Sequence, residues 1–305
     1  MTGGSRLHFC DRLAALVEER RSRVVLGLDP DPVALWPEAL SRFAEGGSMA
    51  RVDTAEAVAD HCRAAIVAAG PACVAVKPQL ACFERLGAPG WDALERTVAV
   101  ARDHGLLVLA DGKRGDVPVT AHAYAQALVG ETEGPFGPVP GLGVDAFTAN
   151  PLLGRDSLEP LIDGAAAAGA GCFLLVRTSN PGAAELQDEG HPPLHERLAR
   201  LAEELGGSLT GDCGLSLVGA VTGATQPALL ERLRELMPRA VFLLPGVGAQ
   251  GGRVEDLRAA FAPHPAAGLV TASRSIVNAH AERGGQPAAA AAAAAEALRA
   301  AAWAL

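Results

Sequence analysis

The segment VLADGKRGDVPVTA, residues 108–121, ends an apolar run in three charged side chains, Asp111, Lys113 and Asp116. Asp111 and Lys113 lie two residues apart, so in an extended chain their side chains point to the same side. Asp116, three residues further on, is expected at the start of the following helix and need not face the same way. Lys77 ends a neighbouring apolar run and could reach the first two, which gives an alternating chain of acids and bases, Lys77, Asp111, Lys113 and Asp116. In a buried site each of these charges is stable only if it neutralises the next one. Four charges at adjacent strand ends favour a functional site over an ion-pair cluster that only stabilises the fold.

A second group of residues is suited to binding an anion. The glycine-rich segment PGVGAQGGR, residues 245–253, supplies backbone N–H groups, those of Gly246 and Gly248 among them, and a helix is expected directly after it. Arg274 follows the last apolar run and can donate two parallel hydrogen bonds to a phosphate. The glycine-rich segment alone would equally fit a plain turn, so its pairing with Arg274 is what indicates a phosphate site.

Eight apolar runs, each followed by a helical segment, must position these residues. The runs are apolar throughout, as is typical of parallel strands buried on both faces, and they cover residues 23–29, 72–77, 106–111, 143–149, 172–178, 215–222, 240–246 and 267–273. The amphipathic segments predict helices over residues 53–69, 91–104, 118–129, 156–168, 193–205, 227–237 and 253–261, with Asp53 or Thr54 capping the first.

This alternation predicts a (β/α)₈ TIM barrel made of one domain, residues 1–305, with its functional site at the carboxyl ends of the strands. An open, doubly wound sheet is the alternative, because periodicity does not show whether a sheet closes. The count of eight strands favours closure.

Composition limits the class of protein and of partner. Of the 305 residues 49% are apolar and 20% charged, which is typical of a globular chain, and the net charge of −9 argues against general nucleic-acid binding. The first residues, MTGGSRLHFCDRL, do not form a leader with a basic and then an apolar region. No run predicts a membrane span, since the alanine-rich end QPAAAAAAAAEALRAAAWAL favours a surface helix. With six scattered cysteines and no C-x-x-C pair, we expect a reduced, cytoplasmic protein.

The motifs of this chain resemble those of the orotidine 5′-monophosphate decarboxylases. The segment 108–121 is similar to the signature of that family, D-x-K-x-x-D followed by a small residue and Thr. Related sugar-phosphate decarboxylases share this signature, but further motifs of the family follow in the expected order: LGLDPDP, VAVKPQ, TANPLLG, RTSNPG, PGVGAQGG and SRSI. The longer loops are similar to those of the longer bacterial branch, type 2. The resemblance implies a (β/α)₈ homodimer that converts orotidine 5′-monophosphate to uridine 5′-monophosphate and CO₂, the last step of de novo UMP biosynthesis, without a metal or organic cofactor.

The resemblance also implies roles for the charged residues. Lys113 would protonate C6 of the pyrimidine, Asp111 would face the departing CO₂, and Lys77 would link Asp111 to the ribose. Asp116 and Thr120 would reach into the site of the partner subunit. The chemistry agrees, because loss of CO₂ leaves a carbanion that the ring delocalises poorly, and a fixed ammonium can stabilise that charge and then donate a proton. Arginine would hold its proton too tightly for this role.

For substrate binding, the resemblance implies Asp29 as the ribose ligand, Ser179 as a pyrimidine contact, and Gln250 with Arg274 as phosphate contacts. Because the phosphate lies far from the reacting carbon, its binding energy can close a lid, for which residues 245–253 are the candidate. No role follows for residues 130–143.

Two other functions compete with this prediction. A Mg²⁺-dependent sugar-phosphate decarboxylase or epimerase would need carboxylate ligands at the ends of the first two strands, where Lys77 would repel the metal. The other competing function is that of a nucleotide-binding barrel without catalytic activity. The complete set of charged residues at the strand ends argues against it. His191 and His195 suggest a metal-binding pair, but Pro192 and Pro193 would interrupt the helix that such a pair needs, so a solvated loop is expected there.

Overall fold

Eight parallel strands form a closed barrel in the computed structural model, which describes residues 7–41, 49–224, 226–247 and 251–305. The strands are β1 (Val24–Leu28), β2 (Ala75–Pro78), β3 (Leu107–Arg114), β4 (Ala146–Ala149), β5 (Gly171–Arg177), β6 (Ser216–Thr222), β7 (Ala240–Leu244) and β8 (Gly268–Ala272). Neighbours in sequence pair in parallel, and the pairing of Val24 with Val270 joins β8 back to β1. The predicted TIM barrel is therefore confirmed, and the open sheet is wrong.

Thirteen α-helices of the described residues flank these strands. They are α1 (Phe9–Arg20), α2 (Pro37–Leu40), α3 (Ala50–Ala69), α4 (Leu80–Glu84), α5 (Ala88–Asp103), α6 (Pro118–Leu128), α7 (Arg155–Ala167), α8 (Ala184–Gln187), α9 (Leu194–Gly206), α10 (Pro227–Leu236), α11 (Arg274–Val277), α12 (Ala279–Arg283) and α13 (Pro287–Trp303). Short 3₁₀ helices cover Gly70–Ala72, Pro151–Leu153, Pro181–Ala183, Val254–Phe261 and Pro265–Ala267. All seven predicted helical segments are helical, the last of them as a 3₁₀ helix.

The predicted cap of the first of these segments is wrong. Helix α3 begins at Ala50, after Met49, so Asp53 already lies within its first turn. The hydroxyl of Thr54 donates to the carbonyl oxygen of Ala50, four residues back, as an interior helical threonine does.

Helix α1 closes the amino-terminal end of the barrel and is not predicted by the sequence analysis. Its apolar face, Phe9, Leu13 and Val17, joins the inward-facing strand residues in one buried cluster. The ring of Phe9 meets that of Phe173 edge-on, with centroids 5.9 Å apart and planes at 87°. Because α1 fills this end, the carboxyl ends of the strands are left as the open end of the barrel.

Three further features lie away from the open end of the barrel. Within residues 130–143, Glu131–Thr132 pairs antiparallel with Val139–Pro140 as a small hairpin. All six cysteines are free, and burial raises the pKa of Cys62 and Cys73 to about 12. Over the described residues, no helix combines the length and the apolar character needed to cross a bilayer.

Candidate active site

A cavity of about 470 Å³ opens at the carboxyl ends of the strands, and residues from all eight strands or the loops after them line it. It brings together most of the predicted site residues: Asp29, Lys77, Asp111, Lys113, Ser179, Gly246 and Arg274. Gly248 and Gln250 lie outside the described residues. The polar residues at the strand ends therefore converge on one site, as the sequence predicts.

Asp111, at 7% exposure, is the centre of this site. Its Oδ2 accepts a hydrogen bond from Lys77 Nζ at 2.7 Å, and its Oδ1 accepts one from Lys113 Nζ, also at 2.7 Å. Thr148 Oγ1 donates to the same Oδ1 at 2.9 Å, and Gln79 Nε2 donates to Oδ2 at 3.2 Å. One carboxylate thus binds two ammonium groups and two neutral donors.

The buried charges of Asp111 and Lys77 stabilise each other. Burial alone would raise the pKa of Asp111, but the charges of Lys77 and Lys113 outweigh it and hold that pKa well below its usual range. Burial alone would lower the pKa of Lys77, but Asp111 and, at 4.0 Å, Asp29 raise it above the ordinary lysine value. Both groups are therefore ionised at neutral pH.

Lysine is used at this site and nowhere else in the chain. Of the 26 lysine and arginine residues only two are lysines, Lys77 and Lys113, and both contact Asp111. Lysine differs from arginine in that its proton can dissociate in a suitable environment. The scarcity of lysine in the sequence thus marks the same two positions as the charge pattern does.

Lys113 occupies an unusual backbone conformation, with φ at 48° in the left-handed region. The register between β3 and β4 shifts between Ala110 and Arg114, so Lys113 falls within an irregular stretch of the strand pair. Its backbone N–H donates instead to the hydroxyl of Thr148 at 2.9 Å. The predicted orientation of Lys113 towards Asp111 is found, but through this kink and not through regular alternation.

Asp116, which the sequence places at the start of the next helix with no fixed orientation, does not join the cluster within its own chain. After Lys113 the chain turns away into α6, and the carboxylate of Asp116 accepts a hydrogen bond from the Val117 backbone N–H at 2.7 Å. Thr120 lies in the first turn of α6, also outside the cavity. Their implied role in a partner's site stays a prediction.

The loop after β5 forms the wall of the cavity beyond β4, and Ser179 lies on it. Gln187 Oε1 accepts the Thr178 N–H at 2.8 Å, and the buried guanidinium of Arg177 chelates Asp188 with hydrogen bonds of 2.7 and 2.9 Å. Arg177 and His195 hold the pKa of Asp188 below its usual value.

The expectation of a solvated loop around His195 is wrong. This residue is 4% exposed at the start of α9, where its Nδ1 lies 2.8 Å from the carbonyl oxygen of Gln187. It anchors the loop that carries Ser179. Of the described residues, no three His, Cys, Asp or Glu side chains converge as a metal site would require.

Sequence reasoning missed Thr148, Gln79 and Gln187. Thr148 ends β4 as the other polar residues end their strands, so reading that strand end would have found it. Gln79 follows Lys77 by two residues, so the same inspection of the strand ends would have found it. Gln187 lies on a short helix far along the loop, and no pattern in the sequence marks it.

The closed barrel and its cavity of lysine–aspartate pairs define a TIM-barrel enzyme with a charged site at the strand ends. Residues 22–294 match the model of the orotidine 5′-phosphate decarboxylase / HUMPS family. Proteins named orotidine 5′-phosphate decarboxylase from Rhodopirellula baltica and Deinococcus radiodurans are each 41% identical, over 89% and 84% of this chain and the same shares of theirs. The crystal structure of a putative orotidine 5′-phosphate decarboxylase from Streptomyces avermitilis superposes with a TM-score of 0.78 at 30% identity, covering 100% of this chain and 98% of that one.

The chain belongs to the orotidine 5′-phosphate decarboxylase / HUMPS family. The resemblance drawn from the motifs is thereby confirmed, and so is the predicted enzyme class, a carboxy-lyase.

Proposed function

We propose that this chain converts orotidine 5′-monophosphate to uridine 5′-monophosphate and CO₂, without a metal or organic cofactor, and that Lys113 supplies the proton. The observation that carries the proposal is the pair of ammonium groups held on one buried carboxylate inside the cavity, 2.7 Å from its two oxygens. The Lys113 side chain is 43% exposed and faces the open space, whereas that of Lys77 is 8% exposed. Lys113 is therefore the group that a substrate can reach.

The reaction needs one bond broken and one formed at C6 of the pyrimidine. The C6–carboxylate bond breaks, its electron pair stays on C6, and CO₂ leaves. The Lys113 ammonium stabilises the negative charge and then transfers its proton to C6, after which the neutral amine regains a proton from water. Asp111 holds the Lys113 side chain in place through their 2.7 Å contact, and its own charge would face the substrate carboxylate and disfavour the bound ground state.

Binding of the remaining substrate groups follows the layout of the cavity. Asp29, with Lys77 beside it, lies at the end of β1 and suits the ribose hydroxyls. Ser179 lies on the wall after β5 and suits the pyrimidine, and Gly246 and Arg274 lie after β7 and β8, where TIM barrels bind phosphate. Gly248 and Gln250 would complete the phosphate site.

Lys113→Ala provides the test of this chemistry. Turnover is followed as the loss of ultraviolet absorbance of orotidine 5′-monophosphate, measured with EDTA and without it. We expect wild type to be active and Lys113→Ala to lose at least about a thousandfold in kcat, as expected when a proton donor and a stabilising charge are removed together. Lys113→Arg is the matched control for charge, and it should be inactive too because its proton does not dissociate.

Binding of uridine 5′-monophosphate by calorimetry shows whether each variant keeps a folded site. Wild-type activity that EDTA abolishes would instead support the Mg²⁺-dependent relative. A folded wild type that binds the nucleotide without turnover would support the silent binder. Activity retained by Lys113→Ala would remove Lys113 from the reaction.

We further propose a homodimer in which Asp116 and Thr120 complete the partner's site. Both lie outside their own cavity, and the apolar side chains next to them are exposed, Val117 by 55% and Val119 by 84%. Leu152, 61% exposed, adds to the apolar surface at this end of the barrel. Exposed apolar side chains around functional polar ones suit an interface between subunits.

Mixing two inactive variants tests the shared site. Lys113→Ala and Asp116→Ala are combined, unfolded and refolded together. In a symmetric dimer with shared sites, half of the dimers are mixed and carry one intact site, so activity should return to about a quarter of wild type. If Asp116 acts only in its own chain or not at all, mixing restores nothing beyond the activity of the separate variants.

A further inference from the structure

The hydroxyl of Thr148 connects the two charged residues that the proposed reaction depends on. Thr148 lies on β4, and the residue is 1% exposed. Its Oγ1 lies 2.9 Å from the backbone nitrogen of Lys113 and 2.9 Å from Oδ1 of Asp111. One buried oxygen therefore contacts both the backbone of Lys113 and the carboxylate that binds its ammonium.

The direction of these two hydrogen bonds is fixed by the available protons. The Lys113 N–H can only donate, so the hydroxyl oxygen accepts from it. The ionised carboxylate of Asp111 can only accept, so the hydroxyl proton points to Oδ1. No other rotor position satisfies both partners, and Thr148 is locked in this orientation.

The backbone of Lys113 needs such an anchor. A residue with a side chain at φ of 48° is strained relative to glycine, and it persists only where the surroundings hold it. The shift of register between Ala110 and Arg114 interrupts regular strand pairing at this point. The Thr148 hydroxyl supplies the acceptor for the Lys113 N–H in its place.

We propose that Thr148 is a positioning residue for the decarboxylation, an inference that rests on the function proposed above. It holds Lys113 in the left-handed conformation and orients Asp111 towards it, so that the ammonium meets C6 of a bound pyrimidine. Thr148 acts through these two residues and takes no part in proton transfer.

Three variants separate this role from simple packing. Thr148→Val keeps the shape and removes both hydrogen bonds, and Thr148→Ser keeps the hydroxyl and removes the methyl group. The matched control is Thr222→Val on β6, because Thr222 is fully buried and its hydroxyl has no hydrogen-bond partner among the described residues.

The expected result is a change in kcat and not in KM. Thr148→Val should lower kcat about 10- to 100-fold, since a small displacement of a reacting group has effects of this size. KM should stay within about threefold of wild type, because the ribose and phosphate contacts do not involve Thr148. Thr148→Ser and Thr222→Val should both stay within about threefold of wild type in kcat.

The inference is overturned if Thr148→Val is as active as Thr222→Val, or if Thr148→Ser is as slow as Thr148→Val. Should Thr148→Val fail to fold, Thr148→Ala replaces it with the same expected loss and the same criteria. An inactive wild type and an inactive Thr222→Val would instead refute the proposed function.

A crystal structure of the variant gives a readout that does not depend on turnover. Without the hydroxyl, φ of Lys113 should leave the left-handed region and its contact with Asp111 should lengthen. An unchanged conformation of Lys113 in Thr148→Val would overturn the positioning role whatever the substrate proves to be.

Discussion

Replacement of Asp111 by asparagine should expose how strongly the buried charge of Lys77 depends on its carboxylate. In wild type the Lys77 side chain is 8% exposed and donates to Asp111 at 2.7 Å. In Asp111→Asn the nearest remaining carboxylate is Asp29, 4.0 Å away and 42% exposed, so solvent screens it. The variant therefore leaves an ammonium buried with little compensation, next to the second ammonium of Lys113.

The magnitude follows from the pKa that Lys77 would then have. Burial without a partner lowers a lysine pKa by up to about 3–5 units, and with Asp29 still present we take about 2 units. At 1.36 kcal/mol per unit this is about 3 kcal/mol, close to the range for breaking a buried ion pair. Asp111→Asn should therefore lower the free energy of unfolding by about 3 kcal/mol at pH 7.

The pH dependence gives the sharper test. In wild type the pKa of Lys77 is raised and that of Asp111 lowered. The contribution of Lys77 is present below the unfolded pKa of about 10.4 and is lost as pH rises through its folded pKa. That of Asp111 is present above about 3.9 and is lost as pH falls through its folded pKa. In the variant the lowered pKa lets Lys77 deprotonate as pH rises, so about 2 kcal/mol of the loss should disappear between pH 7 and pH 10.

Urea unfolding followed by circular dichroism at pH 7 and pH 10 measures both effects. The control is the double variant Asp111→Asn with Lys77→Met, which removes the buried charge and should regain most of the lost stability. A variant as stable as wild type at pH 7, or a loss that is equal at both pH values, would show that Asp111 does not hold the charge of Lys77. A double variant no more stable than the single one would lead to the same conclusion.

Three further substitutions test the supports of the cavity. Gly223→Ala would place a Cβ 2.9 Å from the Cα of Ser179. We therefore expect KM to rise about tenfold in the absorbance assay and the free energy of unfolding in urea to fall by about 1–3 kcal/mol. If both values stay unchanged, this close approach is contradicted. Trp36→Phe removes the indole donor that lies 3.0 Å from the Val277 carbonyl oxygen, and urea unfolding should show a loss of about 1 kcal/mol, whereas no loss would mean that the bond contributes nothing. Asp188→Asn should destabilise by about 2 kcal/mol at pH 7. Since the folded pKa of Asp188 is lowered, its contribution is present above about pH 4 and is lost as pH falls through that pKa, so unfolding at pH 7 and pH 3 should show a shrinking difference, and a constant one would refute the pairing.

The barrel could be predicted because its strands are apolar on both faces and occur eight times. Each predicted run overlaps an observed strand. The clearest departure is at β3, which continues past Asp111 to Arg114. The register with β4 shifts over this stretch, so the strand continues through charged residues beyond its apolar part, and a pattern of apolar residues does not detect that.

Local sequence patterns predicted less well those features whose position depends on tertiary contacts. Helix α1 is stabilised by filling the end of the barrel, which no local pattern shows. His195 reads as part of a proline-rich surface loop, yet its contacts with Gln187 and Asp188 bury it. Asp116 is close to the cluster in sequence and outside the cavity in space, because the turn into α6 lies between them.

The confinement of both lysines to the cavity has a practical consequence for chemical labelling. The other strong cations of this chain are arginines, which amine-directed reagents leave unmodified. Apart from the amino terminus, an activated ester or an aldehyde will therefore meet Lys113 first, because the Lys77 side chain is 8% exposed. Coupling this protein to a resin or a dye through its lysines would obstruct its own cavity. Reductive methylation with ¹³C-formaldehyde would instead add magnetic-resonance labels to two side chains, both inside the cavity, with no signal from any other lysine.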